Sequence, residues 1–109
     1  MFILGGTDAD DNFSRRCLLF SKYLKFFEKP PMLTKRAYFP SVFCISNSSI
    51  YVIGGSDGLN DLALVEKFSI PENNWKVVES LEIPRSGASA IIFENLIFVF
   101  GGNNQIDGI

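Results

Sequence analysis

The sequence predicts an all-β repeat protein, a propeller or a solenoid, and three observations carry that expectation. The pair Gly-Gly occurs at Gly5-Gly6, Gly54-Gly55 and Gly101-Gly102, each time behind four apolar residues: Met1-Phe2-Ile3-Leu4, Ile50-Tyr51-Val52-Ile53 and Ile97-Phe98-Val99-Phe100. The pairs lie 49 and 47 residues apart, a period at which one repeat cannot bury its own apolar face and must stack on its neighbours. Between them come short strand-like runs separated by turn formers, and no stretch of eleven or more residues keeps a helical period.

Each element follows from the alignment on the double glycine. About ten residues beyond it stand Cys17-Leu18-Leu19-Phe20 and Val65-Glu66-Lys67-Phe68, strand candidates with aromatic ends. Seven residues after each Phe sits a second aromatic, Phe27 in the first copy and Trp75 in the second. Pro71-Glu72-Asn73-Asn74 is a turn cluster that makes the second pair of strands a hairpin. Pro84-Arg85, and more weakly Lys35-Arg36, then lead into a further strand, Ala88 to Phe93 and Ser41 to Ile45. A tight turn at Glu94-Asn95, or over Ser46 to Ser49, returns to the strand that ends in Gly-Gly. Lys22 to Glu28 has the look of a short helix but aligns with the hairpin at 68–76 and is read as strand. The glycines suit a strand that ends beside a neighbour and then turns sharply, where a Cβ is unwelcome and positive φ is needed.

Four strands per period, with this pattern, resemble the kelch-repeat β-propellers. The residues that carry the resemblance are the apolar quartets with their double glycines, Phe68, Trp75 after a turn, and Pro84-Arg85-Ser86-Gly87 before the next strand. It covers almost the whole chain and is stronger over 50–102 than over 1–49, where Phe27 stands for the family's Trp, Lys35 for its Pro and Ala37 for Ser86. The resemblance implies four-stranded antiparallel blades, with the strand before the Gly-Gly strand innermost and the Trp strand outermost. The chain then holds one partial propeller, with repeat 1 at 1–49, repeat 2 at 50–96 and the start of repeat 3 at 97–109. Three strands fall in one blade, four in the next and two in a third. Propellers close with four to eight blades, so the ring is incomplete; the remaining blades come from the rest of a longer protein or from other chains.

The loops are where function is expected. All six aspartates follow a double glycine: Asp8, Asp10 and Asp11; Asp57 and Asp61; Asp107. They form either an acidic rim for basic peptides and protein surfaces or simply good turns after glycine. By match to peptide-binding kelch proteins, Arg85, Ser86, Ser56 and Asn60 line the mouth of the propeller, with Asp57 on the acidic rim and Arg36 a weaker candidate. The structural alternative for both arginines is a bond to carbonyls or acids of the neighbouring blade.

Composition narrows the field. With 47% hydrophobic residues and eleven Phe the chain is a folding sequence, and a net charge of −2 does not suggest a nucleic-acid partner. The charge is uneven, seven Lys/Arg against four acids over 1–49 and three against eight over 50–109. The basic stretch Arg15 to Arg36 spreads over two strands and three turns and is read as a solvated edge. No apolar run approaches the ~20 residues that span a bilayer, and no signal peptide is visible, so no membrane partner is expected. Asn12-Phe13-Ser14 and Asn47-Ser48-Ser49 match a glycosylation pattern too short to carry weight. With no histidine there is no Ser-His-Asp or Cys-His arrangement and no histidine-ligated metal, and Gly54 to Gly58 lacks the Lys of a phosphate loop. Cys17 and Cys44 lack CxxC spacing and read as two reduced thiols or one disulfide. The sequence therefore points to a protein-binding module without catalytic residues, cofactor or metal, in the cytoplasm and in contact with the cytoskeleton. An architectural part of a cytoskeletal or ciliary assembly, or the recognition part of a ubiquitin-ligase adaptor, are the other readings.

Overall fold

Among the described residues nine short strands form where apolar side chains alternate between turns: β1 (Phe2–Leu4), β2 (Cys17–Phe20), β3 (Phe26–Lys29), β4 (Ser41–Cys44), β5 (Ser49–Ile53), β6 (Val65–Ser69), β7 (Asn74–Val78), β8 (Ser89–Phe93) and β9 (Leu96–Phe100). The structure, a computed structural model, describes residues 2–7, 10, 12–20 and 25–102. Asp8, Asp11 and Asp107, with most of the helix-like stretch before Lys25, lie outside the described residues. The strands pair antiparallel into three sheets, β1-β2-β3, β4-β5-β6-β7 and β8-β9, the three, four and two strands that the repeat predicts. Among the described residues the only helical element is one 3₁₀ turn, Ile45–Asn47, where a strand had been expected to run through Ile45.

The turns follow their residues. Glu94 and Asn95, with φ of 51° and 63°, join β8 to β9 in a two-residue turn whose twist matches the strands. Asn73, at φ 55°, closes the β6–β7 hairpin, and its N–H donates to the Ser69 carbonyl at 2.8 Å.

Register corrects one expectation. In the middle sheet Phe68 lies opposite Trp75, with ring centroids 5.1 Å apart. In the first sheet the equivalent of Phe68 is Phe20, and its partner is Phe26, at 4.8 Å, whereas Phe27 lies opposite Leu19. Phe26, not Phe27, therefore takes the Trp position. The first hairpin has one residue fewer between its aromatics, and a shift of one residue sends a side chain to the other face.

The sheets stack as blades. Cys17, Met32, Ile50, Val52, Phe68 and Trp75 are buried together between the first and second sheets, with Phe2, Leu4 and Phe39 against them. Val42, Ile53 and Val65 form the second interface, facing Ala90, Ile97 and Val99 of the third sheet. β4 and β8 run side by side at the inner ends. Trp75 also ties the sheets covalently distant in sequence: its indole N–H donates to the Pro30 carbonyl at 2.7 Å, pinning the segment that crosses from the first blade to the second. Cys17 and Cys44 are both buried free thiols, and burial pushes the Cys17 thiol up to about 11, which leaves it protonated and unreactive.

The double glycine works on both sides of a blade. At Gly54 an added Cβ would stand 2.5 Å from the Arg85 carbonyl, and at Gly55 2.6 Å from the Ala37 carbonyl, so two backbones close on the pair. In each outer pair only one glycine is so enclosed: an added Cβ would stand 2.5 Å from the Arg36 carbonyl at Gly5 and 2.6 Å from the Ser86 carbonyl at Gly102, whereas Gly6 and Gly101 have nothing within 4 Å and mark the two unfinished ends of the stack. At one end β1 is paired on one edge only, with β2. At the other, Ile91, Phe93, Leu96, Phe98 and Phe100 share one face of β8-β9 and all are about half exposed.

Candidate functional site

Arginine sorts the candidates first. Arg36, in the crossing from β3 to β4, is wholly buried, and its guanidinium donates to the carbonyls of Gly54 (2.8 Å) and Leu64 (2.9 Å). A second nitrogen pairs with the carboxylate of Glu66, also wholly buried, whose other oxygen accepts the Leu33 N–H at 2.6 Å. Burial lowers the Arg36 pKa, and Glu66 opposes that shift. Arg36 is thus a clasp between two blades and is not available to a partner, which corrects its place among the binding candidates. The sequence did not single out Glu66, because a lone Glu in a strand reads as solvent-facing.

Arg85 stands in the same frame one repeat later. Its guanidinium donates to the Gly101 carbonyl at 2.7 Å, as Arg36 does to Gly54. Its backbone carbonyl accepts the Gly55 N–H at 2.7 Å, as that of Arg36 accepts the Gly6 N–H at 2.9 Å. Arg85 therefore lies on the blade junction, its side chain on Gly101 and its backbone on Gly55, next to the other mouth candidates.

Those others do converge. Ser56 and Ala37 exchange backbone hydrogen bonds of 2.9 and 3.0 Å, so the loop after the second Gly-Gly is stitched to the start of the inner strand. Asp57 folds that loop on itself: one carboxylate oxygen accepts the N–H groups of Leu59 (2.8 Å) and Asn60 (2.9 Å), and these bonds hold its pKa below the usual carboxylate range. The Ser56 hydroxyl accepts the Gly58 N–H at 3.1 Å. Asp57 is a turn former here while keeping its charge at the surface, and Asn60 remains exposed at the loop tip. Ser86 sits half-buried beside the same rim, and the next residue, Gly87, donates its N–H to the Tyr38 carbonyl at 2.7 Å.

Tyr38 is the residue that the sequence reading missed. It is 65% exposed, lies edge-on to Phe13 from the loop after the first Gly-Gly (centroids 6.0 Å), and has φ 58°. A bulky residue in left-handed backbone costs about 1 kcal/mol or more. The aligned position in the next repeat is Gly87, at φ 69°, so Tyr38 fills a glycine site with a large exposed aromatic. Laying Lys35-Arg36-Ala37-Tyr38 over Pro84-Arg85-Ser86-Gly87 shows the substitution, although not that its φ stays positive. Tyr38 stands on an open cleft of ≈ 500 Å³ at the inner end of the blades, lined by Phe2, Leu4, Ala37, Phe39 and Gly87 among others. Among the described residues no three of His, Cys, Asp and Glu come together in a metal-binding group, and no helix is long and apolar enough to cross a membrane.

The family profile described as the Kelch motif matches residues 38–82, which span the complete four-stranded blade and its entry segment. Residues 38–82 thus carry a kelch repeat, and similarity to kelch-repeat proteins extends over most of the chain. It is similar to the Kelch repeat and BTB domain-containing protein 2 of cowpox virus (strain GRI-90 / Grishak), 28% identical over 78 residues, which cover 72% of this chain and 14% of that protein. It is similar to the Kelch repeat protein M-T8 of myxoma virus (strain Lausanne), 28% identical over 106 residues (94% and 20%), and to human Kelch-like protein 38, 29% identical over 106 residues (94% and 18%). The kelch chain thus spans a fifth or less of the length of these relatives. Its three sheets form part of a kelch propeller whose ring is not closed.

Proposed function

We propose that this kelch segment is a non-catalytic protein-binding module that takes partner proteins or peptides at its inner mouth. Tyr38 carries the reading. A strained backbone holds an exposed aromatic where the repeat otherwise has glycine, and such strain persists where the surroundings over-determine it. Beside it the 56–61 loop offers Ser56, Asn60 and the charge of Asp57, and Ser86 flanks the cleft. An aromatic anchor with an acidic neighbour suits an apolar or aromatic residue next to a Lys or Arg of the partner. Two buried free thiols support a reducing compartment, and we place the module in the cytoplasm.

The test is Tyr38→Gly, which relieves the φ strain and removes the anchor. Partners captured by the wild-type chain, and quantified by mass spectrometry, should be lost from Tyr38→Gly and from Asn60→Ala while thermal stability holds. Equal capture by all three proteins would refute the mouth as the site. One relative's name joins kelch repeats to a BTB domain, which favours a second reading, the recognition part of a ubiquitin-ligase adaptor. In that case the captured partners accumulate in cells when Tyr38→Gly replaces the wild type.

A further inference from the structure

The strands of each blade run between two ends, and the mouth uses only one of them. Ser56 and Asn60 follow Gly54-Gly55 at the far end of β5. The β4–β5 turn lies at its near end, where Cys44 pairs with Ser49. Its counterpart in the third blade is the β8–β9 turn, where Phe93 pairs with Leu96. The strand Ser49–Ile53, five residues long, sets the two ends about 16 Å apart.

The two turns are built differently. The third blade turns through Glu94-Asn95 alone, whereas the second spends four residues, 45–48, on a 3₁₀ turn and a left-handed Ser48 at φ 50°. Counting from Arg36 and Arg85, Ile45 takes the place of Glu94 and Ser46 that of Asn95. The aligned polar pair joins the turns: the Ser46 hydroxyl donates to the side-chain oxygen of Asn95 at 3.3 Å, and the Cys44 sulfur lies 3.2 Å from that hydroxyl. The other aligned pair sets an apolar side chain beside a carboxylate. Ile45 is 83% exposed, the most of any large apolar residue described. Glu94 is exposed too, and its φ of 51° is backbone that asparagine or glycine adopts readily and glutamate does not. Between the turns runs an open groove of ≈ 370 Å³, lined chiefly by Cys44, Ile45 and Ser46 on one wall and Ile92, Glu94 and Asn95 on the other. Both walls are closed hairpins, so the groove is not a blade face left uncovered. Glu94 is the one charged residue among those that line it.

We propose that this groove is a second protein-binding site, at the end opposite the mouth, which takes a large apolar side chain flanked by a lysine or arginine of a partner protein. The apolar side chain lies against Ile45 and Ile92, and the cation pairs with Glu94. The bond from Ser46 to Asn95 holds the two walls at a fixed spacing before the partner arrives. An asparagine would suit the β8–β9 turn better than Glu94 does, and what the glutamate adds there is charge. With a site at each end, the module can hold two partners at once. The groove shares no residue with the mouth at Tyr38, and each is tested without the other.

The probe is a terminally blocked synthetic heptapeptide, Ser-Gly-Leu-Lys-Lys-Gly-Ser, titrated against the isotope-labelled chain and followed through its methyl and amide resonances. Saturable shifts are expected at Ile45, Ile92 and Asn95. Glu94→Asn should weaken binding about two- to fivefold, the worth of an exposed ion pair, while Tm stays at or above that of the wild type. Ile45→Ser, at an exposed position, should weaken it about tenfold with Tm unchanged. A peptide with glutamate in place of both lysines should bind more weakly to the wild type, and Tyr38→Gly should bind the original peptide as the wild type does. Shifts centred on the 56–61 loop instead, or the absence of saturable shifts, would overturn the proposal. So would equal affinity for the lysine and glutamate peptides, or affinity that neither Ile45→Ser nor Glu94→Asn alters.

Discussion

Removing the carboxylate of Glu66 tests the clasp at its most sensitive point. Glu66→Ala leaves the guanidinium of Arg36 at zero exposure with only the Gly54 and Leu64 carbonyls, and leaves the Leu33 N–H without its acceptor. Breaking a buried pair from one side costs about 3–5 kcal/mol, because the desolvated charge that remains has lost its compensation. For a domain of this size each kcal/mol lowers Tm by roughly 4 °C, which gives a fall of roughly 12–20 °C. Arg36→Ala should be similarly damaging, since it strands the Glu66 carboxylate. The double variant should cost less than the sum of the two by about 2–3 kcal/mol, the upper end of the range for residues in one network. Thermal unfolding followed by circular dichroism, with urea titration for the free energies, gives all three values. A loss below about 1 kcal/mol for Glu66→Ala, or a coupling near zero, would refute the clasp.

The glycine series and the 56–61 loop supply further checks. Gly54→Ala should destabilise strongly, since its Cβ meets the Arg85 carbonyl at 2.5 Å and the Leu62 carbonyl at 3.0 Å. Gly101→Ala, with nothing within 4 Å, should cost only the left-handed backbone, about 1–2 kcal/mol; equal losses in urea titration would contradict the stacked arrangement. The Asp57 carboxylate is held below its ordinary value by the N–H groups of Asn60 and Leu59, so it stabilises the loop above the ordinary carboxylate range and ceases to do so as pH falls through the lowered value. The amide resonances of Leu59 and Asn60 should therefore titrate with a midpoint below about 3.9, and a midpoint at or above it would show that the loop is not built around Asp57.

Much of the fold was written in local pattern. The double glycines, the turn formers at Pro71–Asn74 and Glu94-Asn95, and the aromatic ends of β6 and β7 are short-range features, and they located the strands and their division among three sheets. What the sequence hid depends on register and on distant neighbours. Phe27 and Phe26 differ by one residue, and only the length of a turn decides which of them lies opposite Phe20. The roles of Glu66 and Met32 arise from a crossing segment and a strand thirty residues or more apart. The loop candidates Ser56, Asp57 and Asn60 were placed together because they follow the glycines directly. Tyr38 escaped because a tyrosine gives no hint that its backbone remains where a glycine's would be.

Amide hydrogen exchange of the whole chain tests the central claim, a kelch stack with one complete blade and an open edge. The slowest amides should lie in β5 and β6, which are paired on both sides, while those amides of β9 that point away from β8 exchange at nearly the rate of an unprotected chain. Strong protection along both sides of β9, or a second blade no better protected than the third, would contradict the account.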